Sequence, residues 1–593
     1  MERALLGLVL RAFEAGINIA LLRARTIGSR TWRRTGSLGL VLILVLSGVV
    51  AAPAPAAAQV GELVSEASPH EALARLQREF SAILSLRETP DTTCVSVMVN
   101  DEPVFESKAD SALIPASVMK IVTAAAALDV IGEDGVYTTE VVVDAEVWAS
   151  SGDGVLEGNL YLVGGGDPVL STPGYFRRYA EPVAYTDVSE LADGVFQSLQ
   201  AKGITRIEGG VVGDDSWFPD RERDYADHLL SDGDGVVWKR SHVSANQVGP
   251  LSGLLLNDGF YSFSWSPFRR RENRRTSDPP RHAASAFDDL LEARGIVITE
   301  RPRAGMAPAE SATLGQINSP PMSEIVERML SRSDNTTAEM VLKEIGRRTL
   351  GSSRAQAVTG VQEVIRRLLG DLGDDLRIVD GSGLSNHNRL TCAAVAELLR
   401  GAGWDSPLIS ALSVAGERGT LRNCRPAAPP ADQGPPNPVA AKTGYLDEAT
   451  ALAGAASTRD GETLTFAMIA NRSDYIGLLL CNRLQRTLLN AAAQYTYGPI
   501  VSPQATAVAD ENPCPATDTG SSQPGGTSGE RTAGCTRFVD VVGGVHAGAI
   551  EALAGAGVTL GCDVVGPRFC PDRPVSRAEM ASLLVRALSL DTD

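Results

Sequence analysis

Helix-like periodicity in this chain stops near residue 137, gives way to short strand-like runs, and returns only after residue 300. At 593 residues the chain is also too long for one hydrophobic core. The pattern predicts an α/β (α+β) unit built from two separated stretches, 59–136 and 301–498, with a β-rich insertion at 137–300 between them. In the first stretch, apolar residues recur at helical spacing over 59–90, and 94–99 alternate like a strand. Pro115-Ala116-Ser117 then opens a helix whose apolar positions run from Val118 to Leu128, with Gly132 as its stop. The insertion shows strand-like runs at 138–143, 156–163 and 209–212. The second stretch predicts helices near 322–330, 337–350, 355–369 and 393–399, strands at 450–456 and 463–470, and a last helix over 478–495.

The two ends of the chain read differently. Residues 1–58 are rich in arginine, then carry an uncharged apolar run at 38–50 and end in Ala56-Ala57-Ala58. That order describes a secretory signal peptide, and the run is shorter than the roughly 20 residues a membrane span needs. Export to the periplasm, cell wall or medium is expected, with membrane tethering if the leader is retained. Residues 499–533 are rich in Pro, Gly, Ser and Thr and read as a flexible linker. A small helical module follows at 534–593.

A net charge of −18 argues against nucleic acid as a partner, and the arginine-rich stretch 269–275 reads as a solvated loop. The six histidines show no metal-ligand spacing, so no metal or cofactor is expected. Among eight cysteines, Cys562 and Cys570 bracket a short loop and make the best bridge; the other pairings are not legible.

Lysine carries the strongest chemical signal, because there are only six: Lys108, Lys120, Lys202, Lys239, Lys343 and Lys442. Arginine, which holds the remaining basic positions, cannot give up its proton. Lys120 closes Ser117-Val118-Met119-Lys120, a spacing that puts Ser117 and Lys120 on one helix face. A serine in a first helical turn, beside free N–H groups, suits a nucleophile with the lysine as its base. Lysine must first be pulled below its ordinary value by burial or a nearby cation, and Lys442 could be that cation. Ser333-Asp334-Asn335 offers a hydroxyl and a carboxamide at a helix start, though these are also ordinary capping residues. Lys442-Thr443-Gly444-Tyr445 precedes a strand and would suit a carboxylate-bearing substrate.

Ser-x-x-Lys, Ser-Asp-Asn and Lys-Thr-Gly in this order are the signature of serine β-lactamases and penicillin-binding proteins. Roughly 200 residues separate the first two motifs, which is long for a compact β-lactamase. The chain resembles the class C low-molecular-mass penicillin-binding proteins, the D-alanyl-D-alanine carboxypeptidase/endopeptidase family. The resemblance covers roughly 62–498 and includes 158–168, 250–254, 380–385, 388–391 and 441–446. It implies a penicillin-binding/serine β-lactamase-like transpeptidase domain.

The resemblance also implies a mechanism. Ser117 would attack a D-Ala-D-Ala or cross-link carbonyl, Lys120 would take its proton, and Ser333 would protonate the leaving amine. Asn335 would hold the peptide amide. Lys442 and Thr443, beside Gly444, would bind the terminal carboxylate. Backbone N–H groups of Ser117 and Tyr445 would hold the oxyanion. Asp167 would meet the amino end of a diaminopimelate side chain, or else serve as a turn residue before Pro168. Peptidoglycan peptides are the expected substrates and β-lactams the expected inhibitors. Tyr445 is bulkier than the threonine the family pattern suggests, and 425–438 is unusually rich in Pro and Ala. The terminal module resembles a single S-layer homology repeat, which implies binding to a cell-wall polymer through Ser576, Arg577 and Glu579. The competing readings are a β-lactamase, a non-catalytic wall-binding protein and an esterase on the same scaffold.

Overall fold

The computed structural model describes residues 69–85, 89–176, 183–264, 273–427, 436–458, 461–472 and 483–495. The leader, the linker, the terminal module and the Cys562–Cys570 bridge lie outside these residues. Along the chain, helix α1 (Pro69–Leu84) leads to strands β1 (Thr93–Val99) and β2 (Glu102–Ser107). A short 3-10 turn, Ala116–Val118, runs into α2 (Met119–Val130). The insert contributes β3 (Thr138–Asp144), β4 (Leu160–Val163), α3 (Val188–Ala201), β5 (Val211–Asp214), α4 (Pro279–Glu292), β6 (Arg303–Ala304) and β7 (Ser311–Asn318). Helices α5 (Met322–Arg332), α6 (Asn335–Thr349), α7 (Arg354–Leu369) and α8 (Cys392–Ala402) follow. Strands β8 (Ser413–Val414), β9 (Val439–Leu446), β10 (Ala449–Ser457) and β11 (Thr463–Asn471), then α9 (Arg483–Ala493), complete the described chain.

One antiparallel sheet, in the order β8-β9-β10-β11-β1-β2, joins the two ends of the catalytic stretch. Its central strands are buried on both faces, so they read as continuous apolar runs rather than alternation. Ala451, Ala453 and Ala455 of β10 face a core shared with α2 and α5 to α8. Leu464, Phe466 and Met468 of β11 face the other way, toward α1 and α9. The small side chains on the first face let helices approach closely. Helix α2 is apolar nearly all round, which is the pattern of a helix enclosed by its neighbours; Met119 to Ala127 are all buried. Cys94 of β1 is disulfide-bonded to Cys392 at the start of α8, and both are fully buried.

The insert is richer in helix than its sequence texture suggests. A five-stranded sheet, β6-β5-β4-β3-β7, packs against α3 and α4, each 14 residues long. Its last strand is drawn from Ser311–Asn318, beyond the expected boundary at residue 300. The reason is pairing: β7 runs antiparallel along the whole of β3, where its backbone groups find partners they would otherwise lack.

Candidate active site

Three elements converge on one point. The turn before α2 presents Ser117, the joint between α5 and α6 presents Ser333 and Asn335, and β9 presents Lys442 and Thr443. The joint is sharp because Ser333 adopts a left-handed backbone (φ 58°). Asp334 then caps α6 by accepting from the Thr337 N–H at 3.1 Å. The Ser-Asp-Asn triplet is therefore both a helix cap and a way of aiming its two neighbours. Gly444 permits the remaining approach: a Cβ there would sit 2.8 Å from the Pro115 carbonyl oxygen.

Lys120 is fully buried. Its Nζ lies 3.1 Å from Ser117 Oγ, 2.7 Å from Asn335 Oδ1 and 2.5 Å from the Ser382 carbonyl oxygen. The last two atoms are acceptors only, so they take two amine hydrogens. The third position faces Ser117. A neutral amine in this setting directs its lone pair at the serine hydroxyl, which is the geometry of a base. Burial pulls Lys120 down to about 8, against the opposing pull of Asp380, Glu339 and Asp334. A shift of that size corresponds to roughly 3 kcal/mol against the charged form. The expected cation effect operates mainly in the other direction. Lys442, also fully buried, is held well below its ordinary value by burial first and by Lys120 second.

Lys442 Nζ donates to Ser333 Oγ at 2.9 Å and to the Thr443 carbonyl at 2.8 Å. The Thr443 hydroxyl donates to Thr420 Oγ1 at 3.2 Å. Two hydroxyl–lysine pairs, Ser117–Lys120 and Ser333–Lys442, thus stand in one site. Asn335 links the site to the insert by donating from Nδ2 to the Gln247 carbonyl at 2.8 Å. The Tyr445 phenol bonds the Gln485 side chain on α9, and Gln485 in turn donates to the Ala451 carbonyl at 3.0 Å, so the extra bulk of Tyr445 is anchored on α9.

Asp167 stands apart. It is buried within the insert, accepts from the Val169 N–H at 2.8 Å and from the Thr186 hydroxyl, and is pushed up to about 6 by burial. These are the bonds of a turn residue; among the described residues no hydrogen bond joins it to the three motifs. Asp288, Asp289 and Glu292 form the one cluster of potential metal ligands among the described residues. They lie on α4, two of them exposed, where acidic groups commonly gather without an ion.

Sequence reasoning missed the floor of the site. Glu339 and Asp380 are both fully buried. Asp380 accepts from the Gly383 and Ser385 N–H groups, from Asn388 Nδ2 and from Trp238 Nε1, all between 2.7 and 2.8 Å. Glu339 accepts from the N–H groups of Gly381 and Ser382. Helical spacing could have found Glu339, since it lies four residues after Asn335 on a helix buried from Thr336 to Gly346.

The fold and the gathered motifs define the penicillin-binding class. The model of the D-Ala-D-Ala carboxypeptidase 3 (S13) family matches residues 85–240 and 266–478, and the chain belongs to that family. It is 28% identical over 497 residues to "Carboxypeptidase DacB" of Mycolicibacterium smegmatis, covering 77% of this chain and 97% of the relative. It is 27% identical over 519 residues to "D-alanyl-D-alanine carboxypeptidase" of Actinomadura sp. (strain R39), covering 76% and 89%. Among solved structures it resembles penicillin binding protein 4 (dacB) from Haemophilus influenzae with a TM-score of 0.51 and 19% identity, over 70% of this chain and 97% of that one. That last likeness concerns the fold alone.

Proposed function

We propose that this protein is an exported serine D,D-peptidase that hydrolyses D-Ala-D-Ala termini or cross-links of peptidoglycan peptides through an acyl-enzyme on Ser117. The observation that carries the reading is the buried Lys120 amine, fixed by two acceptor-only oxygens with its remaining position 3.1 Å from Ser117 Oγ. Ser117 attacks the carbonyl while Lys120 takes its proton. Ser333, hydrogen-bonded to Lys442, passes its proton to the leaving amine and is reprotonated by the Lys120 ammonium, which restores the base. The backbone N–H groups of Ser117 and Tyr445 hold the oxyanion, each contributing on the order of 3 kcal/mol. Water then releases the acyl group.

Substrate binding follows from β9. Its neighbour β8 pairs with it at Ala440 and Ala441 and stops short of Lys442 and Thr443. An extended peptide can add to a strand edge there, bringing its terminal carboxylate to Lys442 and Thr443. That carboxylate restores the charged form of Lys442. Asp167 would meet a diaminopimelate ammonium with the acceptor capacity left by its Val169 and Thr186 bonds. A buried disulfide between Cys94 and Cys392 supports export, since such bonds persist in oxidising compartments. Residues 534–593 would then tether the enzyme to a wall polymer.

Intact-mass measurement after incubation with labelled penicillin tests the reading. A stable adduct is expected on the native protein and none on Ser117→Ala. Rapid turnover without an adduct would instead make the protein a β-lactamase, and neither adduct nor turnover would exclude catalysis at Ser117.

A further inference from the structure

Two helices reach for the same pair of loop residues, Gly381 and Ser382. From α2, whose buried face carries the polar side chains Lys120 and Thr123, Lys120 Nζ donates to the Ser382 carbonyl at 2.5 Å. Thr123 Oγ1 donates to the Gly381 carbonyl at 2.7 Å. From α6, Glu339 meets the same two residues on their N–H side. Its Oε1 accepts from Ser382 N at 2.7 Å and its Oε2 from Gly381 N at 3.2 Å. The loop also lies directly on α6. A Cβ at Gly381 would come within 2.8 Å of the Ala338 carbonyl oxygen and 3.0 Å of Leu342 Cβ.

Helix α6 therefore addresses Lys120 twice, directly through Asn335 Oδ1 and indirectly through Glu339 and the Ser382 carbonyl. We propose that Glu339 is a positioning residue for the reaction: by clamping the Gly381 and Ser382 N–H groups it holds the Ser382 carbonyl on Lys120 Nζ, and so fixes where the amine's lone pair points and how firmly it keeps its proton. The proposal rests on Lys120 being the base for Ser117.

A merely structural role would be to satisfy two buried amides. A neutral carboxamide or a water could accept those bonds, and a buried carboxylate costs far more to desolvate. What a carboxylate adds is charge, felt by Lys120 through space across the loop: the peptide that Glu339 polarises is Gly381–Ser382, whose carbonyl faces Thr123, while the Ser382 carbonyl on Lys120 shares its peptide with the Gly383 N–H that Asp380 holds. The charged and titratable groups facing Glu339 are consistent with this. Asp380, on the loop, accepts from four donors; burial first and Asp380 second push Glu339 up to about 8. Lys120 on α2 is pulled down to about 8, and Asp334 at the cap of α6 opposes that fall. Tyr225 of the insert is held up by burial and by Glu339. The Glu339 carboxylate thus opposes burial at Lys120 and favours the lysine's charged form.

The six lysines make the test practical. With lysine labelled at Cε, the Lys120 resonance, assigned by its loss in Lys120→Arg, is followed by NMR against pH. Glu339→Gln removes the charge and turns an amide N–H toward a backbone N–H. The Lys120 midpoint is expected to fall by on the order of one pH unit, and acylation by penicillin at its plateau to slow roughly ten- to hundredfold. Unchanged resonances of Lys108, Lys202 and Lys239 report that the fold survives. Glu339→Asp, which keeps the charge but shortens the reach, is expected to slow acylation while holding the midpoint near the native value. It also carries the test if the carboxamide variant fails to fold. A slowed Glu339→Gln with an unmoved midpoint would reduce Glu339 to a structural prop. Native acylation in Glu339→Asp would overturn the positioning. A penicillin adduct surviving in Ser117→Ala would instead overturn the function on which the proposal rests.

Discussion

At the scale of single residues, the site is governed by the cost of burying a lysine's charge. Lys120 has three carboxylates pulling its value up, yet burial wins and leaves it at about 8. The sign of the pH dependence follows. A depressed lysine is charged below its folded value and neutral above it, and only the neutral form can take the Ser117 proton. The second-order rate of Ser117 acylation by penicillin should therefore rise about tenfold per pH unit below about 8 and level off above it. Rates measured across that range on the native protein check this, and a flat profile would remove Lys120 as the base. Lys120 was legible because lysine is scarce and arginine cannot do its work. The agent of its shift was not. Sequence offered burial or a neighbouring cation, Lys442, without deciding between them; burial dominates, and burial is a product of how α2 is enclosed rather than of any local motif. The Ser382 carbonyl was hidden for the same reason, since it meets Lys120 only after distant segments pack.

At the scale of elements, the joint between α5 and α6 shows how two readings of one triplet can both hold. Asp334 is an ordinary N-cap, and its neighbours carry the chemistry because the cap fixes where α6 begins. Asp334→Ala should cost about 1 kcal/mol of stability through the lost cap. It should also slow acylation, because Asn335 Oδ1 would lose its fixed 2.7 Å approach to Lys120. Chemical denaturation together with penicillin-labelling rates checks both; a loss of stability with native labelling would separate the cap from the chemistry. The helices of the catalytic stretch were legible because they are long and periodic, and β10 and β11 because they are continuous apolar runs. Helices α3 and α4 of the insert were passed over amid short strand-like runs. Their start signals were nevertheless present: Asp187 caps α3 with Glu190 three residues on, and Asp278 precedes Pro279-Pro280 at the head of α4.

At the scale of the whole molecule, the insert braces the site. Trp238 donates to Asp380 at 2.8 Å, Gln247 accepts from Asn335, and Gly249 N donates to Thr336 Oγ1 at 2.8 Å. An ion pair, from the buried Lys343 to the half-buried Asp220 at 2.6 Å, fastens the insert to α6 behind them. The sequence showed an insertion but not this bracing, because each contact joins segments whose separation in the chain carries no periodic signal. The disulfide ties a different pair of layers, fixing the helical layer to the sheet across 298 residues of chain. Closing so long a loop restricts the unfolded chain severely, and replacing both Cys94 and Cys392 by alanine should cost about 2–5 kcal/mol. Neither cysteine belongs to the three motifs, so the folded double variant should still be acylated by penicillin at close to the native rate. Thermal melting and labelling of the same preparation separate the two effects. A bond that supports stability without touching the chemistry also predicts where the enzyme can work: native protein treated with a reductant should melt at or below the double variant, since Cys424 is disulfide-bonded as well. A double variant melting like the native protein would withdraw the disulfide as an argument for an oxidising compartment.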